Sequence, residues 1–332
     1  MLEHGGNLAA ASQQYGIALE DWLDLSTGIN PHGYPITDIP PEVWQRLPLE
    51  YDGLSEAACA YYGCRFALPT AGSQAALQVL PQLRAGARFN APAKVAMPQL
   101  MYQEHAKAWQ RYGHEVIRFD SYPHERILQQ ADVVLLCNPN NPTATRFSAA
   151  DLLNWHAQLT QRGGWLIVDE AFMDATPEHS IAQHAHVDGL FVLRSLGKFF
   201  GLAGARVGFL LGAEAMLLEA QEIIGPWSIA GPSRLAARTA LEDKTWQQQT
   251  RQQLLADSQR LADLLTQHGL QPAGGTALFQ FVLTSDAAEW HQHLARQGIW
   301  VRQFPDVPAL RFGLPPTDGW NRLRDALQTD VF

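Results

Sequence analysis

Cysteine is scarce in this chain of 332 residues, and long apolar runs are absent from it. The three cysteines, Cys59, Cys64 and Cys137, form too sparse a set for a disulfide framework, so we expect free thiols in a reducing cytoplasm. Cys59 and Cys64 could pair or bind a metal, but no second pair of ligands accompanies them. The longest apolar runs, such as Val133 to Cys137, fall far short of the roughly 20 residues that span a bilayer. We therefore expect no membrane-spanning segment.

Positive charge is also in short supply, because 24 Lys and Arg face 33 Asp and Glu, for a net charge of -9 at pH 7. A nucleic-acid partner is disfavoured, since the neutralisation of phosphates needs clustered Lys and Arg. A small anionic ligand stays possible, because a few buried arginines suffice to bind one. Residues 1–6 do not combine a basic region with a following apolar run, so we expect no signal peptide and a cytoplasmic location.

The length and composition suit two soluble domains of unequal size, with 46% apolar and 17% charged residues. Residues 1–35 are expected to form an N-terminal arm with a helix from Leu8 to Leu23. In residues 36–230, short apolar runs alternate with helical stretches, which predicts an α/β large domain with a mostly parallel sheet covered by helices. Residues 231–332 predict a smaller α+β domain, which a long helix from Leu241 to His268 connects to the first.

The expected strands are Lys94 to Met97, Glu115 to Phe119, Val133 to Cys137, Trp165 to Asp169, Phe191 to Arg194 and Arg206 to Leu211 in the large domain, and Phe279 to Leu283, Trp300 to Arg302 and Ala309 to Phe312 in the small one. The other expected helices are Ser73 to Leu83, Tyr102 to Tyr112, Ala149 to Arg162, Ala287 to Gln297 and Gly319 to Gln328.

A lysine in an apolar surrounding is the first candidate for chemistry. Lys198 stands between Gly197 and Phe199, and such a setting can lower the pKa of a lysine and free its amine to attack a carbonyl carbon. Ser195 and Arg206 bracket it and can bind a phosphate, the arginine through two parallel hydrogen bonds. Taken alone, the segment is more simply interpreted as a loop with an ordinary lysine.

Two polar residues follow strand-like runs. Asp169 ends the run from Trp165, the place where open α/β sheets hold ligands, and its carboxylate could keep a ring nitrogen protonated. Its alternative role is to cap a following helix. Asn141 lies in an Asn- and Pro-rich turn after Cys137, where its amide could donate to a ring oxygen, and we expect a cis bond between Asn141 and Pro142. The alternative is a simple turn.

A helix start and an aromatic residue complete the set. Gly72, Ser73 and Gln74 open a helix, whose free backbone amides and positive dipole end suit a phosphate. Tyr102 could stack on a planar ring or could be an ordinary core aromatic residue. Each of these signals is modest when taken alone.

Their order along the chain is specific, and it resembles the class I and II aminotransferase superfamily, fold type I of the enzymes that use pyridoxal 5′-phosphate (PLP). The resemblance covers nearly the whole chain. It implies PLP bound covalently by Lys198, with Asp169 at the ring nitrogen as the second catalytic residue. The cofactor-binding residues that it implies are Gly72, Ser73, Gln74, Tyr102, Asn141, Asp169, Ser195, Lys198, Arg206 and, from a neighbouring subunit, Tyr51.

Two N-terminal motifs, residues 4–7 and 25–31, resemble the cobalamin-pathway branch of this superfamily. Phe172 fits that branch, whereas many aminotransferases have a tyrosine there whose hydroxyl binds the cofactor. The branch implies decarboxylation of L-threonine O-3-phosphate to (R)-1-amino-2-propanol O-2-phosphate. The same residues could run transamination of a phosphorylated amine such as histidinol phosphate, because the two reactions differ only in which bond at Cα stands perpendicular to the ring.

The resemblance also implies substrate contacts and a homodimer. Arg311 would hold the substrate carboxylate, and Arg302 would hold the substrate phosphate together with His4. The remaining implied substrate-binding residues are Gly5, Gly28 and Asn141. Each arginine could instead form a surface salt bridge. Because Tyr51 would reach the partner's cofactor, the site would depend on the dimer.

Some features depart from the family pattern or compete with it. Ala144 stands where glycine is frequent, and Gly197 where serine or threonine is frequent. His179, His184 and His186 could suggest zinc, but no Cys or acidic ligand at a suitable spacing completes a site, so we expect no metal. A non-catalytic protein of this fold that binds a partner is the remaining alternative. It is disfavoured because the cofactor-binding series is intact.

Overall fold

The computed structural model describes residues 5–36, 38–86 and 91–328. Contacts within the chain define two compact units. The larger unit comprises Tyr34–Asn141 and Thr145–Gln248, and the smaller one comprises the described residues up to Gly33, Pro142–Ala144 and the chain from Gln249 onward. The predicted domain boundaries, at residues 35/36 and 230/231, stay a prediction. No helix among the described residues is both long and apolar enough to cross a membrane.

The strands are β1 (Leu23–Leu25), β2 (Ala67–Ala71), β3 (Lys94–Pro98), β4 (Glu115–Phe119), β5 (Val133–Cys137), β6 (Trp165–Asp169), β7 (Leu190–Ser195), β8 (Val207–Leu211), β9 (Pro272–Thr276), β10 (Phe279–Leu283), β11 (Ile299–Phe304) and β12 (Ala309–Gly313). The helices are α1 (Leu8–Tyr15), α2 (Pro41–Gln45), α3 (Leu54–Tyr62), α4 (Gly72–Arg84), α5 (Glu104–Arg111), α6 (Glu125–Gln130), α7 (Ala149–Thr160), α8 (Glu214–Ile224), α9 (Gly231–Glu242), α10 (Lys244–Gln267), α11 (Ala287–Arg296) and α12 (Gly319–Leu327). Short 3₁₀ turns cover Leu19–Asp21, Pro177–His179, Ala182–His184 and Ala203–Ala205.

The larger unit is built on a seven-stranded sheet in the order β2-β8-β7-β6-β5-β3-β4. The strands from β7 to β4 run parallel, whereas β8 is antiparallel to both of its neighbours. All residues of β5 and β6 are buried, because α4 and α5 help to form the core cluster on one face while α7 packs against β6. Each fully buried Val, Leu or Ile side chain contributes about 1.5–3 kcal/mol. The prediction of a mostly parallel sheet covered by helices is confirmed.

The strand directions bring several chain segments to one edge of this sheet. The parallel strands β5, β6 and β7 end there at Cys137, Asp169 and Ser195. Because β8 runs the other way, its first residue lies at the same edge, with Ser195 paired to Gly208. Strand β2 is antiparallel to β8 and therefore also ends there, at Ala71. The start of α4 thus joins the carboxyl ends of the parallel strands, where open α/β sheets hold ligands.

The smaller unit contains a five-stranded sheet in the order β1-β11-β12-β10-β9. Strand β1 is parallel to β11, and the other neighbours are antiparallel. The predicted helix from Leu8 to Leu23 is wrong in its second half. Helix α1 ends at Tyr15, because Gly16 adopts the left-handed conformation with φ of 70°, and Leu23 begins β1.

The predicted long helix from Leu241 to His268 is confirmed as α10 (Lys244–Gln267), except that its first two residues belong to α9. Helix α9 ends at Glu242, and a new helix, α10, starts at Lys244. Asp243 separates them and accepts a hydrogen bond from the backbone nitrogen of Trp246 at 2.9 Å, which satisfies a free amide of the first turn of α10. Residues 242–245 are all polar, and the hydrogen bond of Asp243 fixes the start of α10.

A buried ion network joins the ends of β6 and β7. Arg194 is 1% exposed. It forms one ion pair with Glu170, which follows β6, and a second one with Asp174 at 2.8 Å. Its guanidinium carbon lies 4.4 Å from the centre of the Tyr62 ring. Burial alone would lower the pKa of Arg194, but the two carboxylates raise it above its ordinary value. The charge is therefore fully compensated within the core.

We expect Arg194→Met to lower the free energy of unfolding by about 3–5 kcal/mol, because it leaves two carboxylates buried without their partner. Urea denaturation measures the loss. The matched control is Arg324→Met, since Arg324 pairs with Asp325 on the surface, where such a pair contributes about 1 kcal/mol or less. Equal losses in the two variants would contradict a special role for the buried network.

Candidate active site

A pocket at this edge of the larger sheet brings together most of the predicted cofactor residues. Its lining includes Ser73, Gln74, Tyr102, Asn141, Asp169, Ser195, Lys198 and Arg206. Gly72 lies beside Arg206, because a Cβ added to this glycine would stand 2.7 Å from Arg206 Nη2. Tyr51 does not line the pocket and is 94% exposed in the loop between α2 and α3.

One end of the pocket is suited to a phosphate. Helix α4 starts at Gly72, whose φ is 71°, and no side chain of the described part of the protein caps it. The amides of Ser73 and Gln74 in this first turn therefore have no partner within the helix. Strand β8 passes so close that a Cβ on Gly208 would lie 2.3 Å from the nitrogen of Ser73. Arg206 adds a guanidinium to these amides, and such a combination suits an anion.

Arg206 has an unusual backbone conformation, and Gly197 lies where space is tight. Arg206 has φ of 53°, in the left-handed region that few residues other than glycine adopt, and such strain is frequent at functional sites. A Cβ on Gly197 would lie 3.2 Å from the Cα of Ala203. The close approach explains why glycine suits position 197. Ala144, the other departure from the family pattern, has φ of 61°, which is the conformation that glycine normally supplies.

The amine of Lys198 points along an aromatic face. Its Nζ lies 5.3 Å from the centre of the Phe172 ring, and the neighbouring side chains Leu196, Phe199 and Phe200 are buried. A tyrosine at position 172 would bring a hydroxyl to this region, and phenylalanine brings none. The amine therefore has an aromatic ring on one side, while polar side chains such as Asn141, Asp169 and Ser195 line the same pocket.

A buried carboxylate that lines the pocket, Asp169, meets a buried histidine. His105 Nε2 lies 2.9 Å from Asp169 Oδ2, and the two residues are 1% and 7% exposed. The backbone nitrogen of Ala171 donates to Asp169 Oδ1 at 3.0 Å. The sequence interpretation missed His105. The only signal in the sequence is that His105 stands three residues after Tyr102. In the structure the two rings pack edge-on, with their centres 5.9 Å apart.

Cys137 joins His105 and Asp169 in a group whose ligand atoms all lie within 4.8 Å of one another, a spacing that a metal ion could use. The hydrogen bond between His105 and Asp169 already accounts for two of the three atoms, and we interpret the group as a wall of the pocket. Burial raises the pKa of Tyr102 to about 12, so this phenol stays neutral. Its hydroxyl donates to Gln74 Oε1 at 3.4 Å.

The turn that carries Asn141 differs from the prediction in one respect. The cis bond lies between Asn138 and Pro139, so the expected cis bond at Asn141–Pro142 is wrong. The Asn138 side chain forms two hydrogen bonds with the backbone of Phe147, at 2.9 and 3.2 Å. These bonds hold the turn after β5, and Asn141 lines the pocket.

In the smaller unit, the two predicted substrate arginines face each other across neighbouring strands. Arg302 of β11 pairs in register with Arg311 of β12. Burial, and secondly the charge of Arg302, lower the pKa of Arg311 to about 10, while Asp24 opposes the shift. Two neighbouring positive charges favour the binding of an anion beside them.

Ser26 links Arg311 to the N-terminal motif within the smaller unit. Its carbonyl oxygen accepts a hydrogen bond from Arg311 Nη2 at 2.6 Å, and its hydroxyl accepts one from the nitrogen of Gly6 at 2.7 Å. A Cβ on Gly5 would lie 2.4 Å from the same carbonyl oxygen, so only glycine fits there. Gly28, which stands two residues after Ser26, is buried. His4 lies outside the described residues.

Comparison with known proteins gives the family. Residues 21–327 match the family model of aminotransferase class I and II. A threonine-phosphate decarboxylase of Pseudomonas aeruginosa is 52% identical over 98% of this chain and 97% of its own, and one of a Sinorhizobium species is 37% identical over 98% and 97%.

The fold agrees with that of a solved structure of histidinol-phosphate aminotransferase from Sinorhizobium meliloti in complex with pyridoxal-5′-phosphate. The TM-score is 0.83 at 19% identity, with 98% of this chain and 94% of that chain covered. From the family match and these relatives, we conclude that the chain belongs to the family of class I and II aminotransferases.

Proposed function

We propose that this chain is a PLP-dependent lyase that decarboxylates L-threonine O-3-phosphate to (R)-1-amino-2-propanol O-2-phosphate, in cobalamin biosynthesis. The observation that carries the substrate assignment is the likeness, at 52% identity and nearly full length, to a threonine-phosphate decarboxylase. The pocket in the larger unit supports the cofactor, because an amine, a buried carboxylate and a helix start suited to phosphate line it together.

The residues of the pocket fit PLP from one end to the other. Gly72, Ser73, Gln74, Ser195 and Arg206 would hold the phosphate. The close packing of Gly72 against Arg206 leaves no room for a Cβ, which suits a cradle of backbone amides. Asn141 would donate to the ring oxygen and Tyr102 would cover the ring. Lys198 would form the covalent link through its amine.

When bound, PLP supplies an electron sink for the bond that breaks at the substrate Cα. Asp169 would hold the proton on the ring nitrogen, and His105 and the Ala171 amide orient its two oxygens. Lys198, once the substrate has displaced it, would carry a proton to Cα. Phe172 places an aromatic ring beside the Lys198 amine, with Nζ 5.3 Å from the ring centre, and adds no hydroxyl there.

Arg311 and Arg302 are the proposed ligands of the two anionic groups of the substrate. Arg311 would bind the carboxylate, and Arg302, with His4, the phosphate. Gly5, Gly28 and Asn141 are proposed to contact the substrate as well. The paired register of the two arginines supports this role, since a dianionic substrate would offset their mutual repulsion.

A cytoplasmic homodimer is the proposed state of the enzyme, in which Tyr51 reaches the cofactor phosphate of the neighbouring subunit. The exposed fraction of this side chain supports the proposal, as do three exposed apolar side chains on the same stretch, Trp44, Leu47 and Leu49. An exposed apolar group of this kind is typical of a subunit interface.

With PLP and L-threonine O-3-phosphate, we expect the enzyme to release CO2 and aminopropanol phosphate in equal amounts. Threonine without its phosphate should react with a kcat/KM lower by about 100-fold, or about 2.7 kcal/mol, because the phosphate contact is lost. CO2 capture and mass spectrometry of the amine measure both. A parallel assay offers histidinol phosphate and a keto acid and measures the exchange of the amine. Brisk amine exchange there, with no CO2 from threonine phosphate, would instead establish an aminotransferase.

For the covalent link, we expect borohydride reduction of the PLP-loaded enzyme to leave a pyridoxyl group on the peptide that contains Lys198. Lys198→Ala should lose this modification and at least about 1,000-fold in kcat, since Lys198 is the one lysine of the described residues that lines the pocket. Lys107→Ala is the control, because this lysine is 44% exposed and pairs with Glu104. A wild-type enzyme labelled at another lysine would overturn the assignment.

For the carboxylate, we expect His105→Leu to reduce kcat by about 10- to 100-fold, because a hydrogen bond to a charged group contributes about 1.5–3 kcal/mol. The visible spectrum of the bound cofactor should change as well, which a purely structural role would not require. His156→Leu serves as control, since His156 bonds a carbonyl oxygen on the surface. An unchanged spectrum and rate would show that Asp169 does not need this partner.

A further inference from the structure

Two of the three cysteines lie at the end of α3, outside the pocket. Cys59 is in the last turn of the helix and Cys64 follows its end. Between them, Gly63 adopts the left-handed conformation with φ of 67°, and the nitrogen of Cys64 donates to the carbonyl oxygen of Cys59 at 3.2 Å. In this type of helix ending, the side chains of the two residues joined by that bond frequently pack against each other. The backbone therefore brings the two cysteines close together.

The contact is close enough for the thiols to interact. A hydrogen bond from the Cys64 side chain lowers the pKa of Cys59, although burial and Glu56 oppose the shift. The same bond and burial raise the pKa of Cys64. The backbone nitrogen of Ala67, at the start of β2, also lowers the pKa of Cys59. Cys59 is thus the better nucleophile of the two, because the thiolate is the reactive form.

Cys59 and Cys64 also differ from Cys137 in their exposure to solvent. Cys59 and Cys64 are half-buried, whereas Cys137 is buried. Cys59 lines a groove of the larger unit beside Leu49 and Tyr51 of the proposed subunit interface, so its access to a small disulfide is tested in the full enzyme. A partly exposed thiol of lowered pKa beside a second thiol is the arrangement found in redox-active cysteine pairs.

We propose that Cys59 and Cys64 form a reversible dithiol site that is oxidised by small-molecule disulfides. The Cys59 thiolate attacks one sulfur of the disulfide, the sulfur–sulfur bond breaks, and one thiolate leaves and takes up a proton. Cys64 then loses its proton and attacks the Cys59 sulfur, which expels the second thiolate, again protonated in water. The protein dithiol loses two electrons, and the small disulfide becomes two thiols.

The geometry of the helix end allows the bridge without a large backbone movement. A disulfide needs two Cα atoms no more than about 7 Å apart and side chains that point toward each other. The hydrogen bond between Cys64 and Cys59 keeps the two backbones adjacent. The competing interpretation is that two small apolar side chains simply close the end of the helix.

Trypsin provides a direct assay, because residues 47–65 contain both cysteines and no internal Lys or Arg, while Cys137 lies in a separate peptide, 127–146. The full enzyme is incubated with oxidised glutathione and no substrate, then unfolded, alkylated and digested. We expect the 47–65 peptide to lose the mass of two hydrogen atoms and to regain it after dithiothreitol. The Cys137 peptide should stay alkylated, as the internal control.

Two variants separate the roles of the thiols. In Cys64→Ser the reaction should stop at a mixed disulfide, so that the peptide gains one glutathionyl group. In Cys59→Ser the modification of Cys64 should slow by about tenfold or more, because the more acidic thiol is gone. A wild-type peptide that stays fully reduced, or that keeps a glutathionyl group as its end product, would overturn the proposal. The assay contains no substrate, so its result is independent of the proposed decarboxylation.

Discussion

The hydrogen bond between Asp169 and His105 is the contact on which the arrangement of the pocket depends. A carboxylate that is 7% exposed would be costly without partners, and here each oxygen has one, the imidazole on one side and the Ala171 amide on the other. The contact also ties α5 to the end of β6. Tyr102, which stands just before α5, is thereby held over the same pocket as Lys198.

Much of the fold and the main pocket residues could be predicted, because their signals are local. Buried parallel strands give continuous apolar runs, and Asp169 ends one such run while Lys198 comes shortly after another. The direction of β8 could not be predicted, since a strand buried on both faces is equally apolar when it runs either way. The cis bond was assigned to the wrong one of two Asn–Pro pairs, which composition alone does not distinguish.

His105 illustrates a different limit. A histidine on an amphipathic helix is more often a satisfied core residue than a part of a site, and only the fold reveals that it meets a carboxylate 64 positions later. Ser26 is similar, because its backbone oxygen, which any residue could supply, is what Arg311 binds. Contacts that use the main chain, or that join distant segments, leave little trace in a sequence pattern.

The arginines of the protein are used in two opposite ways. Arg194 is matched by two buried carboxylates and serves the core, where it fixes the ends of β6 and β7. Arg302 and Arg311 lie opposite each other, so their charges add instead of cancelling. The first arrangement stabilises the folded chain, and the second favours an incoming anion. The connection between β7 and β8 has a further consequence. It carries both Lys198 and Arg206, so in the proposed function its length is fixed by the distance between the two groups of one ligand. Insertions and deletions among relatives should therefore avoid this loop and collect at the opposite rim of the sheet, in turns such as residues 161–164.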